Sequence, residues 1–379
     1  MNNILKFKGV IKNVIYNPRL IQSLKLYSFQ EFNINICDGF GLIQLEDKNI
    51  AYSKWVSPKR TRSYPFARMY NTYSQSKVIT IIPIIKDEGK DGDLDKIGFT
   101  TFCWMNLLNI YIILGYYEDA EKSQKKGQIS KDKLSEQKFN NNFIKQQIEK
   151  IFNYKQSALH WNKNLFENEF INIFNLALNC YKKIENKTGV KIHNQDRLRE
   201  YLKDIQTDFE EFKNISLKFS QQAINREIQT EHNLEYLVDG CKGVFEIEND
   251  LGGIYHLTAD EIIIDKQNYI IQESKNSSKK CLPSLDDIQD GLFKLILYSN
   301  LDHLYLEDQE LQFSCRLKLT GNNIKEEILL SESTESQELE KFIENNIFIL
   351  TNQEVGIIYK LLLEVKRNKK LNILITNNG

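Results

Sequence analysis

The sequence contains pairs of a glutamate and a lysine two residues apart, and such a pair of a carboxylate and an ammonium group could take part in catalysis. On a β-strand, residues two apart point to the same face, so a Glu-x-Lys pair can serve one reacting centre. The chain has 50 lysines and arginines and 51 aspartates and glutamates, so chance matches are expected. The spacing occurs seven times, beginning at Glu46, Glu88, Glu136, Glu185, Glu211, Glu273 and Glu364.

A chemical criterion separates these matches. Metal-assisted hydrolysis of a phosphodiester needs at least two carboxylates around a hard cation, with a lysine beside them to orient or deprotonate water. Glu46 has Asp38 upstream and a weak strand between them, which makes it a poor second candidate. The matches outside Glu46 and Glu273 lie in polar, helical or loop-like sequence or lack a nearby upstream aspartate. Glu273 satisfies the criterion best.

The sequence before Glu273 predicts a β-hairpin. Residues 260–264 and 269–273 are two strand-like runs, and Asp265-Lys266-Gln267-Asn268 between them is typical of a turn. Pairing of Ile264 with Tyr269 would place residues 260 and 273 opposite each other, with Cβ atoms about 5 Å apart.

This register predicts an acidic site of Asp260 and Glu273 with Lys275 on the same face. Like charges opposite each other destabilise a hairpin, and a bound divalent cation would remove the conflict. The alternative is a structural hairpin with an ordinary surface salt bridge.

The same residues resemble a known signature. Asp260, twelve intervening residues and Glu273-Ser274-Lys275 are similar to the motif of the PD-(D/E)XK nuclease superfamily, which includes many type II restriction endonucleases. The resemblance covers residues 221–320. It implies a Mg²⁺ site at Asp260, Glu273 and Ser274, with Lys275 positioning or activating the water. The family's aspartate often follows a proline, whereas Ala259 precedes it here.

The resemblance also implies a helix before the hairpin that contributes a further carboxylate near the metal. Glu227 and Glu231 lie in the corresponding segment, four residues apart on one helix face. Which of the two points towards the metal stays open at this point.

Two basic segments are candidates for contacting DNA. Residues 55–73 interleave cations with aromatic residues and prolines, a mixture that can grip phosphate and stack on bases. A Lys-Lys pair follows the hairpin, close to Lys275. The candidate DNA-binding residues are Lys59, Arg60, Arg62, Arg68, Lys279 and Lys280. A solvated basic loop is the alternative for residues 55–73.

Several other chemistries lack their motifs. The six cysteines contain no C-x-x-C pair, which argues against zinc, iron–sulfur and disulfide frameworks. The five histidines show no zinc-hydrolase spacing, and neither a phosphate-binding P-loop nor a G-x-S-x-G elbow is present. Residues 87–95 are acidic, but Lys96 and Phe102 replace the glycine and glutamate of an EF-hand. That segment is either a solvated acidic turn or a functional loop.

Composition predicts an ordered globular chain. Hydrophobic residues make up 41% and charged residues 27% of its 379 residues, and the net charge is −1. Any polyanion must therefore meet local basic patches rather than a basic molecule. No apolar run is long enough for a membrane span, and the first residues do not resemble a signal peptide, so a cytoplasmic location is expected.

The hydrophobic pattern predicts an α/β (α+β) protein. We expect an N-terminal α/β region over 1–120 with a role in DNA recognition, a polar linker over 121–142 and a helical region over 143–220. Residues 221–379 would form the catalytic domain. The resemblance implies that this domain has a restriction-endonuclease-like core, a mixed sheet flanked by helices.

The expected function is that of a Mg²⁺-dependent DNA endonuclease, and within the family a type II restriction endonuclease that cuts double-stranded DNA at a specific sequence. Symmetric cutting of both strands implies a homodimer, and a restriction system implies a cognate DNA methyltransferase. Two alternatives stay open. One is a repair or defence nuclease acting on modified or structured nucleic acid, and the other is a non-catalytic DNA-binding protein with a nuclease-like fold.

Overall fold

The computed structural model describes residues 5–59, 62, 64–124, 132–207, 241–249 and 254–378. The chain divides into two compact units. Residues 1–22 and 219–379 form the discontinuous unit, and residues 23–218 form the inserted unit. Both contain helices and strands, and together the structure is 34% helix and 33% strand, so the predicted α/β class is confirmed.

The secondary structure up to residue 207 is as follows: β1 Leu5–Ile11, β2 Leu26–Ser28, β3 Phe40–Leu45, β4 Lys48–Lys54, α1 Pro65–Thr72, β5 Val78–Pro83, β6 Ile85–Asp87, β7 Leu94–Lys96, α2 Phe99–Leu107, β8 Tyr111–Gly115, β9 Tyr117–Lys122, β10 Leu134–Phe139, α3 Asn141–Phe152, α4 Ala158–Asn164, a π-helical turn Leu165–Glu169, α5 Phe170–Thr188 and α6 Gln195–Thr207.

From residue 241 the elements are β11 Cys241–Asn249, β12 Ile254–Asp265, β13 Asn268–Asn276, α7 Leu285–Ser299, β14 His303–Leu306, β15 Gln309–Glu310, β16 Gln312–Gly321, β17 Ile328–Leu330, α8 Ser336–Asn345, α9 Asn352–Arg367 and β18 Leu371–Asn377. The described helices include none that is long and apolar enough to cross a membrane.

The described part of the discontinuous unit forms a mixed sheet with strand order β15-β14-β1-β11-β12-β13-β16-β18-β17. β12 and β13 form an antiparallel hairpin, and β13, β16 and β18 run parallel. Parallel neighbours need a crossover connection, and α7 lies within the one between β13 and β16. It packs against both strands.

The sequence explains why α7 begins and packs where it does. Ser284 is its N-cap and accepts a hydrogen bond from the Asp287 backbone N–H at 3.2 Å, as the capping pattern predicts. Ile288, Leu292 and Leu295 recur at helical spacing and are fully buried. Burial of this apolar face fixes the rotation of α7 about its axis. The rotation determines which polar side chains of the helix reach β13.

The inserted unit has its own sheet, with strand order β2-β3-β4-β5-β8. β5 and β8 are buried at every position, as their mainly apolar sequences predict for parallel strands that are covered on both faces. The predicted helical region begins as expected and is helical through α3, α4, α5 and α6. Residues 208–240 lie outside the described ranges.

The unit boundaries differ from the predicted domains. The predicted N-terminal region 1–120 is split, because β1 pairs with β11 and β14 in the sheet of the discontinuous unit. Buried Glu364 holds the segment after β1: it accepts hydrogen bonds from the Tyr16 hydroxyl and the Arg19 backbone N–H, both at 2.5 Å. Long-range pairing of this kind leaves no local signal in the sequence.

The predicted polar linker over 121–142 also differs from the structure. β9 and β10 pair as an antiparallel hairpin, and α3 starts at Asn141. Residues 125–131 within this stretch lie outside the described ranges. A polar composition predicted a linker because these strands are half exposed and therefore need few apolar residues.

Both units share one order of elements. In the inserted unit, the hairpin β3–β4 is followed by α1, by β5 parallel to β4, and later by β8 parallel to β5. In the discontinuous unit, the hairpin β12–β13 is followed by α7, by β16 parallel to β13, and later by β18 parallel to β16. Each hairpin carries a two-residue turn whose first residue has a positive φ, Glu46 at 53° and Lys266 at 56°.

Candidate functional site

The β12–β13 hairpin has the register that the sequence predicted. Ile264 pairs with Tyr269, and Ile262 pairs with Ile271. Asp265 and Asn268 also pair, so the predicted four-residue turn closes as a two-residue loop. The hairpin therefore carries residues 260 and 273 towards the same end of the two strands.

Asp260 lies where the regular pairing of β12 with β13 ends. Its carboxylate Oδ2 accepts a hydrogen bond from the backbone N–H of Ser274 at 2.8 Å. A hydrogen bond to a backbone N–H fixes the direction of the carboxylate. Asp260, Glu273 and Ser274, the three residues predicted to form the metal site, thus lie together.

Glu273 is buried, with 1% of its surface exposed. Its Oε1 accepts a hydrogen bond from Lys294 Nζ of α7 at 2.6 Å, and Lys275 Nζ lies 3.4 Å from the same oxygen. Its Oε2 is buried and has no hydrogen-bond partner within the described ranges. A buried carboxylate oxygen without a partner is costly, and a cation bound there would satisfy it.

Lys275 is held between two carboxylates. Its Nζ lies 3.0 Å from Asp290 Oδ2 on α7, in addition to its contact with Glu273. Gly291 makes this close approach feasible, because a Cβ there would lie 3.2 Å from Lys275 Cε and 2.7 Å from Leu317 Cδ1. The side chain of Lys275 therefore packs against α7 at Gly291, the residue that has no side chain.

The electrostatics of the site follow from burial and mutual proximity. Burial, with the charge of Asp260 adding to it, raises the pKa of Glu273 to about 7 despite the opposing effect of Lys294. Burial acts to lower the pKa of the Lys275 ammonium, but Glu273 and Asp290 outweigh it and the pKa is raised. The pKa of Lys294 is raised in the same way, chiefly by Glu273 against burial. Both lysines are therefore cationic at neutral pH.

The residues present fit a divalent cation in one respect. Asp260 and Glu273 supply hard oxygen donors, and the described residues leave the buried acceptor Glu273 Oε2 unsatisfied. Within the described ranges, no three aspartate, glutamate, histidine or cysteine side chains form a group that could hold a metal ion. A complete coordination shell would therefore need water, backbone oxygen or substrate oxygen.

The predicted helix carboxylates Glu227 and Glu231 lie outside the described residues. Their part in the site stays a prediction.

Two predicted DNA-binding residues of the inserted unit, Lys59 and Arg62, are engaged in internal contacts. Lys59 Nζ lies 2.7 Å from Asp95 Oδ1, and Arg62 forms ion pairs with Glu88, Asp93 and Asp95. Residues 87–95 comprise the end of β6, the loop and the start of β7 in the β6–β7 hairpin, and Asp87 and Asp95 are buried. The acidic segment forms ion pairs with the basic segment and is therefore not simply a solvated turn, while a role as a functional loop stays a prediction.

The other predicted DNA-binding residues fall into three cases. Arg68, on α1, donates a hydrogen bond to the backbone carbonyl of Lys54, and its side chain lies beside Gly39. Arg60 is outside the described residues. Lys279 and Lys280 are exposed in the loop after β13, three to four residues beyond the end of the strand that carries Glu273 and Lys275.

Asp290, Gly291 and Lys294 are residues that the sequence reading missed. Ser284 as a cap and the helical spacing of Ile288, Leu292 and Leu295 predict a helix after the hairpin, but they do not show which polar residues of α7 contact β13. A signal was present: an aspartate and a lysine four residues apart lie on one face of a helix that directly follows the hairpin. Comparison of the chain with protein-family models, with curated proteins and with solved structures gives no match.

Proposed function

We propose that the protein is a Mg²⁺-dependent DNA endonuclease that hydrolyses phosphodiester bonds at the β12–β13 hairpin. One observation carries the proposal: a buried carboxylate oxygen, Glu273 Oε2, has no hydrogen-bond partner among the residues that the structure describes, in a site that also contains Asp260 and a protonated Lys275. Two carboxylates with a cationic lysine beside them are the minimum set for metal-assisted phosphodiester hydrolysis.

In this proposal Asp260 and Glu273 hold the metal ion, and the Ser274 backbone keeps Asp260 in place. When bound, Mg²⁺ would polarise a phosphate oxygen and lower the pKa of a bound water. Lys275 carries a proton at neutral pH, because its pKa is raised. Its ammonium is therefore suited to donate hydrogen bonds to the attacking water or to a phosphate oxygen, and so to orient them.

The proposed substrate is double-stranded DNA, and the proposed subtype is a type II restriction endonuclease acting as a homodimer. Support for the subtype comes from the absence of ATPase, iron–sulfur and methyltransferase motifs in the sequence. Lys279 and Lys280 are exposed next to the end of β13, where they can meet the phosphate backbone of a substrate at Lys275. We assign the first DNA contacts to them rather than to Lys59 and Arg62, whose charges are already paired.

The test is incubation of the purified chain with unmethylated phage DNA, in Mg²⁺ or in EDTA. Discrete fragments that need Mg²⁺ would support a site-specific endonuclease. Cleavage confined to flaps, ends, single strands or methylated duplex in parallel reactions would instead identify a nuclease for structured or modified DNA. DNA binding that is indifferent to Mg²⁺, with no cleavage of any substrate, would overturn the proposal and favour a non-catalytic binding protein.

A further inference from the structure

Helix α7 brings a pair of opposite charges to the site. Asp290 and Lys294 lie four residues apart, one helical turn, so both point to the same face of α7. Each contacts a different residue of β13: Asp290 is 3.0 Å from Lys275 Nζ, and Lys294 is 2.6 Å from Glu273 Oε1. The helix therefore offers each charged group of the strand a partner of opposite sign.

The contact made by Lys294 is selective for one oxygen. Lys294 Nζ donates to Oε1 of Glu273, while Oε2 of the same carboxylate is buried and has no partner in the part of the chain that the structure describes. A carboxylate held through one oxygen has its rotation fixed. The second oxygen is then the one available to a cation, at a position set before the cation arrives.

We infer that Lys294 is a positioning residue that fixes the Glu273 carboxylate so that Oε2 serves as a metal ligand. The inference rests on the proposed function and deepens it, because it adds a residue that acts on the metal through Glu273. Groups that hydrogen-bond to metal ligands orient them, and their loss typically lowers metal affinity by about 10- to 100-fold.

If Lys294 acted only through its charge, its removal would raise the metal affinity instead of lowering it. A positive charge next to a metal ligand repels a divalent cation, so its removal alone would tighten binding. Asp290 offsets this charge, because it adds one negative charge from the same helix face. Removal of both charges, in an Asp290→Asn/Lys294→Met double variant, keeps the net charge of the site and isolates the geometric effect.

The experiment measures Mn²⁺ binding to the full chain by calorimetry, with Mn²⁺ as the probe for a divalent cation. Glu273→Gln identifies the heat that belongs to this site. We expect Lys294→Met and the double variant to bind Mn²⁺ about 10-fold more weakly than the unmodified chain. Lys294→Arg, which keeps a cation that can reach Oε1, should bind within about 3-fold of the unmodified chain. Lys360→Met, at an exposed position of α9, is the matched control.

The outcomes separate the inference from the proposed function. Unchanged or tighter Mn²⁺ binding by Lys294→Met and the double variant would overturn the inference, even if the chain cuts DNA. Weaker binding by both, rescued by arginine, would support it even if no DNA is cut, in which case the proposed function fails alone. No Glu273-dependent binding by the unmodified chain would overturn both. Thermal unfolding checks that the variants fold. If Lys294→Met does not fold, Lys294→Gln replaces it.

Discussion

The two hairpin–helix–strand modules of this chain have the same order of elements and opposite chemistry. Counted from their two-residue turns, Ser53 of β4 takes the position of Glu273, and Phe40 of β3 takes that of Asp260. Ser53 is buried and donates a hydrogen bond to Thr80 at 3.1 Å. One module therefore buries a neutral hydroxyl where the other buries a carboxylate.

The position of Lys275 shows the same contrast. Trp55 takes its place in the inserted unit, where it is fully buried and packs edge-on against Phe66 of α1. In the discontinuous unit, the helix presents Asp290 and Lys294 to the strand instead of an aromatic ring. A shared topology thus supports an apolar core in one unit and a charged site in the other, so topology alone does not assign function.

The largest effect should come from the carboxylates that distinguish the modules. We expect Asp260→Ala and Glu273→Gln to lose Mg²⁺-dependent cleavage down to background, because each removes a proposed metal ligand. The counterpart variant Ser53→Ala should cut at the rate of the unmodified chain. The readout is the initial rate of plasmid cleavage, and persistent cutting by either carboxylate variant would refute the site assignment.

Glu273→Ala should also reduce stability far more than Ser53→Ala. The first leaves Lys294 with its main ion-pair partner removed, a change that costs about 3–5 kcal/mol when such a pair is buried. The second removes one neutral hydrogen bond, worth about 1 kcal/mol. Urea unfolding in EDTA, followed separately for the two units, measures both. Equal losses would show that the charged pair contributes no more than a buried hydroxyl does.

The pH dependence of stability should differ between the modules. The pKa of Glu273 is raised from its ordinary value near 4.5 to about 7, mainly by burial. Between these values the folded protein holds a proton that the unfolded chain has released. Stability of the metal-free chain should therefore fall as pH rises from 4.5 to 7, with a contribution of up to about 1.4 kcal/mol per pH unit from this group.

The unfolding free energy of Glu273→Gln over the same pH range measures this contribution. Glutamine does not titrate, so the difference between the variant and the unmodified chain should change with pH in this window and level off above it. The raised pKa values of Lys275 and Lys294 act only above about pH 10.5. A constant difference from pH 4.5 to 7 would contradict a raised pKa at Glu273.

DNA affinity should depend on the exposed lysines of the discontinuous unit more than on the paired cations of the inserted unit. Lys279→Ala and Lys280→Ala should each weaken binding several-fold and reduce the slope of log affinity against log salt by about 1. Lys59→Ala should leave the slope unchanged, since its charge is already paired with Asp95. Fluorescence anisotropy in Ca²⁺ at several salt concentrations measures the slopes, and a larger effect at Lys59 would reverse the assignment.

The smallest effect is expected at the second Glu-x-Lys match. Glu46 lies in the β3–β4 turn and Lys48 begins β4, and both are exposed. Glu46→Gln and Lys48→Gln should each change the activation free energy of cleavage and the free energy of unfolding by no more than about 0.5 kcal/mol. Loss of cleavage in either variant would show that the inserted unit also carries chemistry.

Sequence reasoning could predict the parts of the site that depend on local pairing. The alternation of β12 and β13 around a short turn fixes their register, and register brings residues 260 and 273 to one end of the hairpin. The cap at Ser284 and the apolar face of α7 were predictable for the same reason. These features involve residues close in sequence, whose spacing is set by backbone geometry.

The parts that were not predicted depend on contacts between residues distant in sequence. Nothing local shows that β1 pairs with β11, or that Arg62 meets the acidic residues 88–95. The role of Lys294 depends on the rotation of α7 relative to β13, which packing of the whole sheet determines. The motif therefore identifies the carboxylates from the sequence, whereas their electrostatic environment can be described only from the folded structure.

The most direct test of the central claim is a comparison of the unmodified chain with Lys275→Ala on the same duplex DNA. DNA binding is measured in Ca²⁺ and cleavage in Mg²⁺, with Lys360→Ala as the control. We expect Lys275→Ala to bind DNA with unchanged affinity and not to cut it. Cleavage by Lys275→Ala at the rate of the unmodified chain would contradict the account.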